Sequence, residues 1–368
     1  MKLQIAKASL LEGIQIVSRA VPSKTTMPIL ECILIDASGL DIRLIANDME
    51  LGIQTVVPGM ILEKGIVAID AQIFANIVRK LPDADVTLTV TGEKVQINCQ
   101  KAKFNIPGHD GSDFVYLPAV ERKEEIRITQ YSLREMINRT IFSISGNETS
   151  GMMTGELMEI RGNTMRIVAL DGHRIAIRNV ELNESYEDRK AIIPGKALNE
   201  ISKILSGDTE KMVSIFFTDR HVLFSFEDTI VVSRLMEGEY YRIDRMLSTS
   251  YATRFTVQRK ELLSCIDRAT LLVKEEDKKP VILMITDDTV EIKIHTAMGS
   301  LDEVIEISKE GPDLNIGFNP RFLIDALRAT DDDEITLYLV SAKAPCFIRD
   351  EAGRYCYLVL PVNFITID

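Results

Sequence analysis

The chain has 368 residues, enough for two or three domains with a core each, and its 46% apolar and 27% charged composition is that of a globular protein. Lys and Arg number 43 against 55 Asp and Glu, a net charge of −12. That excludes a protein whose whole surface is a nucleic-acid footprint, since such domains are basic, but leaves room for a basic patch within an acidic total.

From Met1 to Lys7 polar and apolar residues alternate, which predicts an opening strand rather than the apolar stretch of a signal peptide. Leu10, Ile14 and Val17 then recur at helical spacing and predict a helix over 7–20. Ile33–Ile35, Ile42–Ile45, Gly52–Val57 and Gly65–Ile69 are β-rich runs broken by Gly, Asp and Pro. A second helix is predicted over 71–81 from Phe74, Ile77 and Leu81, before strand residues Val86, Leu88 and Val90. The charged run Val120–Glu125 has linker chemistry. Beyond it come a strand at Ile126 and Ile128 and a helix over 131–145. Ile167–Leu170 and Arg174–Ile177 flank Asp171-Gly172, a hairpin signal. A helix over 195–206 follows Pro194-Gly195 and precedes Val213, Ile215 and Phe217. After the polar Ser248–Ser250 stretch come a strand at Phe255 and Val257 and a helix over 259–273. The last helix, 319–330, enters through Asn319-Pro320, an N-cap followed by a first-turn proline, and Ile335, Leu337 and Leu339 form the strand after it.

These elements repeat. Adding 123 to Leu3, Ile5, Leu10, Ile14 and Val17 lands on Ile126, Ile128, Leu133, Ile137 and Thr140, and adding 252 lands on Phe255, Val257, Leu262, Ile266 and Ala269. The helices at 71–81, 195–206 and 319–330, each with its following strand, supply a second landmark in the same order. The chain therefore reads as an α+β protein of three repeated domains, 1–122, 123–248 and 249–368, each of two helices packed on antiparallel sheet. The six helices together carry a net +7, which leaves −19 for the rest of a chain at −12. Six helices of one sign in an acidic protein suggest one basic helical surface for phosphate.

No phosphate-binding loop, dinucleotide fingerprint, nucleophile elbow or zinc-protease motif is present. The five cysteines are scattered without a CxxC pair, as expected of reduced thiols in a cytoplasmic protein. No run approaches the roughly 18 apolar residues of a membrane span, so no membrane role is expected. Asp171 and His173 have the composition of a hydrolase pair. However, residues two apart at a tight turn diverge, and no partner nucleophile is evident. An acidic scaffold protein without nucleic acid is the third reading.

Four segments carry a family resemblance: Thr26-Met27-Pro28-Ile29-Leu30, Ala169-Leu170-Asp171-Gly172-His173-Arg174, Ile316-Gly317-Phe318-Asn319 and Tyr357-Leu358-Val359-Leu360-Pro361-Val362. Over its whole length the chain resembles the bacterial DNA polymerase III beta subunits, the replicative sliding clamps. The resemblance implies the DNA-clamp fold: two protomers of three domains close head to tail into a homodimeric ring, helices lining the hole. It implies a non-catalytic processivity factor of the polymerase III holoenzyme in DNA replication, with no cofactor and no metal, that encircles double-stranded DNA without sequence preference and slides. It implies as partners the polymerase III alpha subunit, the clamp loader, and other polymerases and repair proteins bearing a clamp-binding motif.

Carried over by position, the partner-peptide pocket comprises Met153, Leu170, Gly172, His173, Arg174, Ile175, Tyr241, Met246, Asn319, Phe322, Leu358, Leu360, Pro361 and Val362. The implied DNA contacts are Lys24, Asn147 and Lys196, and the implied dimer interface joins Ile77, Leu81, Phe104 and Ile106 to Leu271 and Leu272. Lys101 and Lys103 would face acidic Asp302, Glu303 and Glu306 at its rim. The chain departs from the family at Tyr240-Tyr241-Arg242-Ile243, where Phe-Pro-Asp-Tyr is common, so Tyr241 replaces a wall proline. It also continues past Val362 by Asn363–Asp368.

Overall fold

The computed structural model describes residues 1–247, 250–273 and 279–364. Among the described residues six helices appear where the apolar stripes predict them: α1 (Lys7–Val17), α2 (Ala71–Lys80), α3 (Gln130–Asn138), α4 (Gly195–Ile204), α5 (Arg259–Thr270) and α6 (Pro320–Arg328). Three of them follow directly on short strands, Lys2–Ala6, Ile126–Thr129 and Thr253–Gln258, which is the first repeated landmark. The other three each precede a strand, Asp85–Thr91, Met212–Phe217 and Glu334–Leu339, which is the second.

The helix ends show why some boundaries shift. The Asp70 carboxylate accepts the Ile73 N–H at 2.7 Å to start α2, and Asn319 accepts the Arg321 N–H at 3.1 Å with Pro320 in the first turn of α6. Gly195 opens α4 for a different reason: a Cβ there would lie 2.3 Å from Ile144 Cδ1 and 2.8 Å from the Thr154 carbonyl oxygen. α3 ends well before residue 145. Thr140 leaves helical dihedrals (φ −127°) and its hydroxyl bonds back to the Met136 carbonyl at 2.8 Å, after which Ile141–Ser143 form a separate 3-10 turn.

The residues divide into two compact units, Met1–Tyr131 with Lys203–Leu235, and Ser132–Ser202 with Met236–Asp368. The central repeat is thus shared between them. In the first unit an eight-stranded antiparallel sheet runs in the order 126–129, 212–217, 221–226, 229–234, 51–57, 42–47, 32–36, 66–70. Its join between repeats is a full ladder, Thr229↔Thr55 to Ser233↔Leu51, with the two threonine hydroxyls 2.9 Å apart. A five-stranded sheet ending in Ala102–Pro107 completes the unit. Leu3, Ile5, Leu10, Ile14 and Val17 are inaccessible or nearly so, each contributing on the order of 1.5–3 kcal/mol by burial.

In the second unit a seven-stranded sheet is built on an unusually long hairpin, Gly155–Leu170 paired with Arg174–Pro194, beside the C-terminal strand Tyr355–Val359. The sequence predicts only the tip of this hairpin. One face packs Phe255, Leu337, Ile348 and Tyr357 against Leu262, Ile266, Leu323 and Leu327 of α5 and α6. The opposite face carries a second apolar cluster of Leu157, Val168, Leu170, Ile175, Ile177, Phe347 and Leu358. A four-stranded sheet ends in Gly299–Glu306. All five cysteines are free thiols. Among the described residues no helix is long and apolar enough to cross a membrane.

Candidate docking pocket and nucleic-acid surface

The pocket residues are organised by the hairpin tip. Leu170 pairs with Ile175, and between them Gly172 takes φ +88°, a conformation that glycine adopts without strain. Asp171 Oδ1 accepts the backbone N–H groups of His173 (2.9 Å) and Arg174 (3.1 Å), an Asx turn that fixes the loop. Its other oxygen accepts Arg174 Nε at 2.9 Å. The rest of the Arg174 guanidinium reaches Asp325 Oδ2 at 2.6 Å and the Phe142 carbonyl at 2.5 Å, while its plane lies over the rings of Phe322 (4.5 Å) and Phe142 (5.3 Å). Only 12% of this side chain is exposed. The hairpin, the 3-10 turn that follows α3 and the first six residues of α6 therefore meet on one cation.

His173 stacks on Phe322 with ring centres 6.1 Å apart, and its carbonyl accepts the Leu360 N–H at 2.9 Å. Val362 N–H donates to the Gly317 carbonyl at 2.8 Å, so Leu360-Pro361-Val362 are held at both ends. Gly317 permits this approach: a Cβ would stand 2.7 Å from Phe364 and 2.9 Å from the Val362 carbonyl oxygen. Leu170, Ile175 and Leu358 are buried in one apolar cluster, and Met153 and Leu360 pack on it partly buried. Asn319 caps α6. Apolar walls with a few oriented polar groups are what a peptide cleft requires.

Tyr240 is the anchor of the departing wall. Its hydroxyl lies 3.3 Å from the Val168 carbonyl and 3.4 Å from that of Gly155, and burial raises its pKa well beyond the ordinary phenol value. Tyr241 meets it edge-on and is 47% exposed, and Met246 is equally open. Tyr241→Ala should therefore leave the stability nearly unchanged, within about 0.5 kcal/mol. A thermal scan showing a larger loss would mean the ring packs as core. Leu157, Val168, Ile177, Ile192, Tyr338 and Phe347 also belong to this cluster, and the resemblance does not name them. Val168 and Leu170, like Ile175 and Ile177, lie two apart on one face, but the residues between them are apolar and buried too, so no polar alternation singles them out. Asn363 and Phe364 follow the wall, whereas 365–368, the end of the C-terminal extension, and Ser248-Thr249 of the linker stretch lie outside the described residues.

The hydrolase reading fails on this geometry. Asp171 is used by two backbone N–H groups and Arg174, and the His173 ring lies on Phe322. Among the described residues no metal-binding cluster is found.

Lys24, in the first unit, and Asn147 and Lys196, in the second, are exposed. Asn147 also caps a 3-10 turn, accepting the Thr149 N–H at 3.1 Å. The basic helical surface is smaller than the charge count implies. Arg139 is held by Glu135 (2.8 Å) and Asp331 (2.5 Å), Arg328 by Asp267 (3.2 Å), and Arg268 by Glu303. Arg259 instead donates to the Leu327 and Asp332 carbonyls, within and beyond the last turn of α6 respectively.

Of the expected interface residues, Phe104 is 38% and Leu271 77% exposed, and Ile77 and Ile106 are half-buried. Leu272 packs partly on its own core, and Leu81 is buried within its own unit and offers no surface. Glu303 is likewise engaged by Arg268 of its own chain and Asp302 by Lys293 at 3.8 Å; Asp302 and Glu306 are the exposed acids of that rim.

The N-terminal, central and C-terminal domains of the DNA polymerase III beta subunit match residues 1–118, 127–241 and 244–363 respectively. The chain belongs to the DNA polymerase III beta subunit family, the beta sliding clamps. The beta sliding clamp of Bacillus subtilis is 34% identical, covering 99% of this chain and 100% of its own. That of Staphylococcus aureus is 33% identical over 94% of each. A crystal structure of the Bacillus subtilis clamp superposes with a TM-score of 0.96, covering 99% of this chain and all of the other. A beta-subunit structure from Eubacterium rectale, 56% identical, does so with the same score and coverage. The function of this family member is that of a non-catalytic processivity factor for the replicative polymerase, and the α+β, three-domain architecture is the clamp fold.

Proposed function

We propose that two copies of this chain close head to tail into a ring around double-stranded DNA, through domains 1–122, 123–248 and 249–368, and that the ring slides without reading sequence. The observation that carries the ring is a pair of open sheet edges. Ala102–Pro107 ends one sheet with Lys103, Phe104 and Asn105 exposed, and Gly299–Glu306 ends another with Asp302, Val304 (58% exposed) and Glu306 outward. An exposed edge of this length, with no proline or bulge in its middle, offers unpaired backbone groups to an added strand. One edge offers lysine and the other carboxylate. Antiparallel pairing of one copy's first edge with the other's second gives a heterologous contact that closes after two. Phe104, Ile106, Ile77 and Leu271 are its apolar residues.

Lys24, Asn147 and Lys196 supply mobile phosphate contacts, which suits a protein held by topology rather than affinity. The pocket around Arg174 and His173 takes the clamp-binding peptides of the polymerase III alpha subunit, the clamp loader, and other polymerases and repair proteins, in the cytoplasm. Light scattering on the eluting protein should give about twice 41.3 kDa, and clamp loaded on nicked circular DNA should stay bound until the circle is linearised. A strict monomer, or equal loss from circle and line, would refute the ring.

A further inference from the structure

Arg174, Ala176 and Arg178 alternate onto the face of the seven-stranded sheet that packs against α5 and α6. Tyr357 and Tyr355 of the neighbouring strand lie on that face too, paired with Ala176 and Arg178 respectively. With only a methyl at Ala176, the space between the two arginines is filled by rings. Outward from the pocket, His173 stacks on Phe322 at 6.1 Å, and the Arg174 guanidinium lies 4.5 Å from Phe322 and 5.3 Å from Phe142. Phe142 then meets Tyr357 at 5.9 Å, Tyr357 stacks on Tyr355 at 5.5 Å, and Arg178 lies over Tyr355 at 5.5 Å. These seven side chains form one row, every step at the spacing of an aromatic or cation–π contact. Tyr357 is 1% exposed, and its hydroxyl donates to the Ala329 carbonyl at 3.0 Å, an acceptor that also takes Arg139 Nη1 at 2.7 Å.

We propose that Phe142 and, through it, Tyr357 are positioning residues for peptide docking that act on the pocket through Arg174. Neither is among the pocket residues carried over by family position, and the inference rests on the pocket reading above. Asp171, Asp325 and the Phe142 carbonyl fix where the edges of the Arg174 guanidinium point. Its tilt is set by the rings on its two faces, Phe322 and Phe142. Tilt matters because Phe322 supports His173, the exposed end of the row. A close-packed interior has no slack to absorb a missing ring. A smaller residue at 142 therefore gives the guanidinium an empty face to lean into, and Phe322 and His173 follow it.

The test uses the full-length protein and a fluorescent peptide carrying the docking motif of the polymerase III alpha subunit. Phe142→Leu should weaken docking about fivefold and Tyr357→Leu about threefold. Tyr357→Phe keeps the ring and loses only the hydroxyl, so it should recover most of the Tyr357→Leu loss. In an Arg174→Ala background, Phe142→Leu should change the affinity by less than about twofold, because the group it acts through is gone. Leu314→Ala trims the same core from the four-stranded sheet and should leave docking unchanged. A Phe142→Leu loss that persists undiminished without Arg174, or an equal loss in Leu314→Ala, overturns the positioning role and assigns Phe142 to general core packing. Should Phe142→Leu not fold, the Tyr357 pair decides: equal affinities of Tyr357→Leu and Tyr357→Phe overturn the row. Failure of the unsubstituted protein to bind the peptide overturns the pocket and the inference with it.

Discussion

Glu156→Gln is expected to stabilise the protein by about 3 kcal/mol at pH 7 and hardly at all near pH 5. The Glu156 carboxyl is fully buried in the long hairpin, and neither oxygen has a hydrogen-bond partner. Burial pushes its pKa up from 4.5 to about 8, with the Thr140 hydroxyl nearby pulling only weakly the other way. That hydroxyl is already directed at the Met136 carbonyl. In the folded chain the group is neutral at pH 7, whereas in the unfolded chain it is ionised. A raised acid pKa means that stability is greatest below the unfolded value and falls at about 1.4 kcal/mol per pH unit between 4.5 and 8. Glutamine keeps the shape and removes the proton linkage. Thermal scans of both proteins at several pH values should show curves that separate as pH rises. Parallel curves would mean that Glu156 is ionised in the fold and paired by water.

Arg174→Ala should lower docking-peptide affinity more than tenfold and cost about 3 kcal/mol of stability. Truncation leaves Asp171, Asp325 and the Phe142 carbonyl without their shared donor, and removing one partner of a largely buried ion cluster is costlier than the cluster is worth. Arg174→Lys retains the charge but not the fork that spans three acceptors or the plane that lies between Phe142 and Phe322. It should recover less than half of the lost stability. Anisotropy titrations and melting curves on the two variants measure both effects, and a full rescue by lysine would show that charge alone matters.

The elements that the sequence makes legible are those with an unbroken period. Leu10, Ile14 and Val17 define α1 because nothing polar interrupts their face, and Asn319-Pro320 announces α6 because capping is local. The long hairpin is legible only at its tip, since the pairing shifts register on either side of Gly162, where Ile160 meets Arg189 but Thr164 meets Glu181, and no single alternation spans both halves. The pocket's polar residues could be named from their positions, but not the way Arg174 binds them together, because Phe142 and Asp325 are 32 and 151 residues away. Distance in sequence also defeats the charge count: Asp331, which neutralises Arg139, lies far beyond α3.

The ladder between Leu51–Val57 and Thr229–Arg234 has a bearing on how the chain can be divided. A gene cut between the first and second repeats looks harmless, since residues 120–125 read as a linker. Yet the cut would strip a strand from the 51–57 segment and leave an apolar sheet with an open flank in water. Fragments made at that joint should aggregate on expression. A split protein intended to reassemble should instead be parted at an exposed turn within one unit, such as Thr91-Gly92-Glu93-Lys94, where no ladder between repeats is severed.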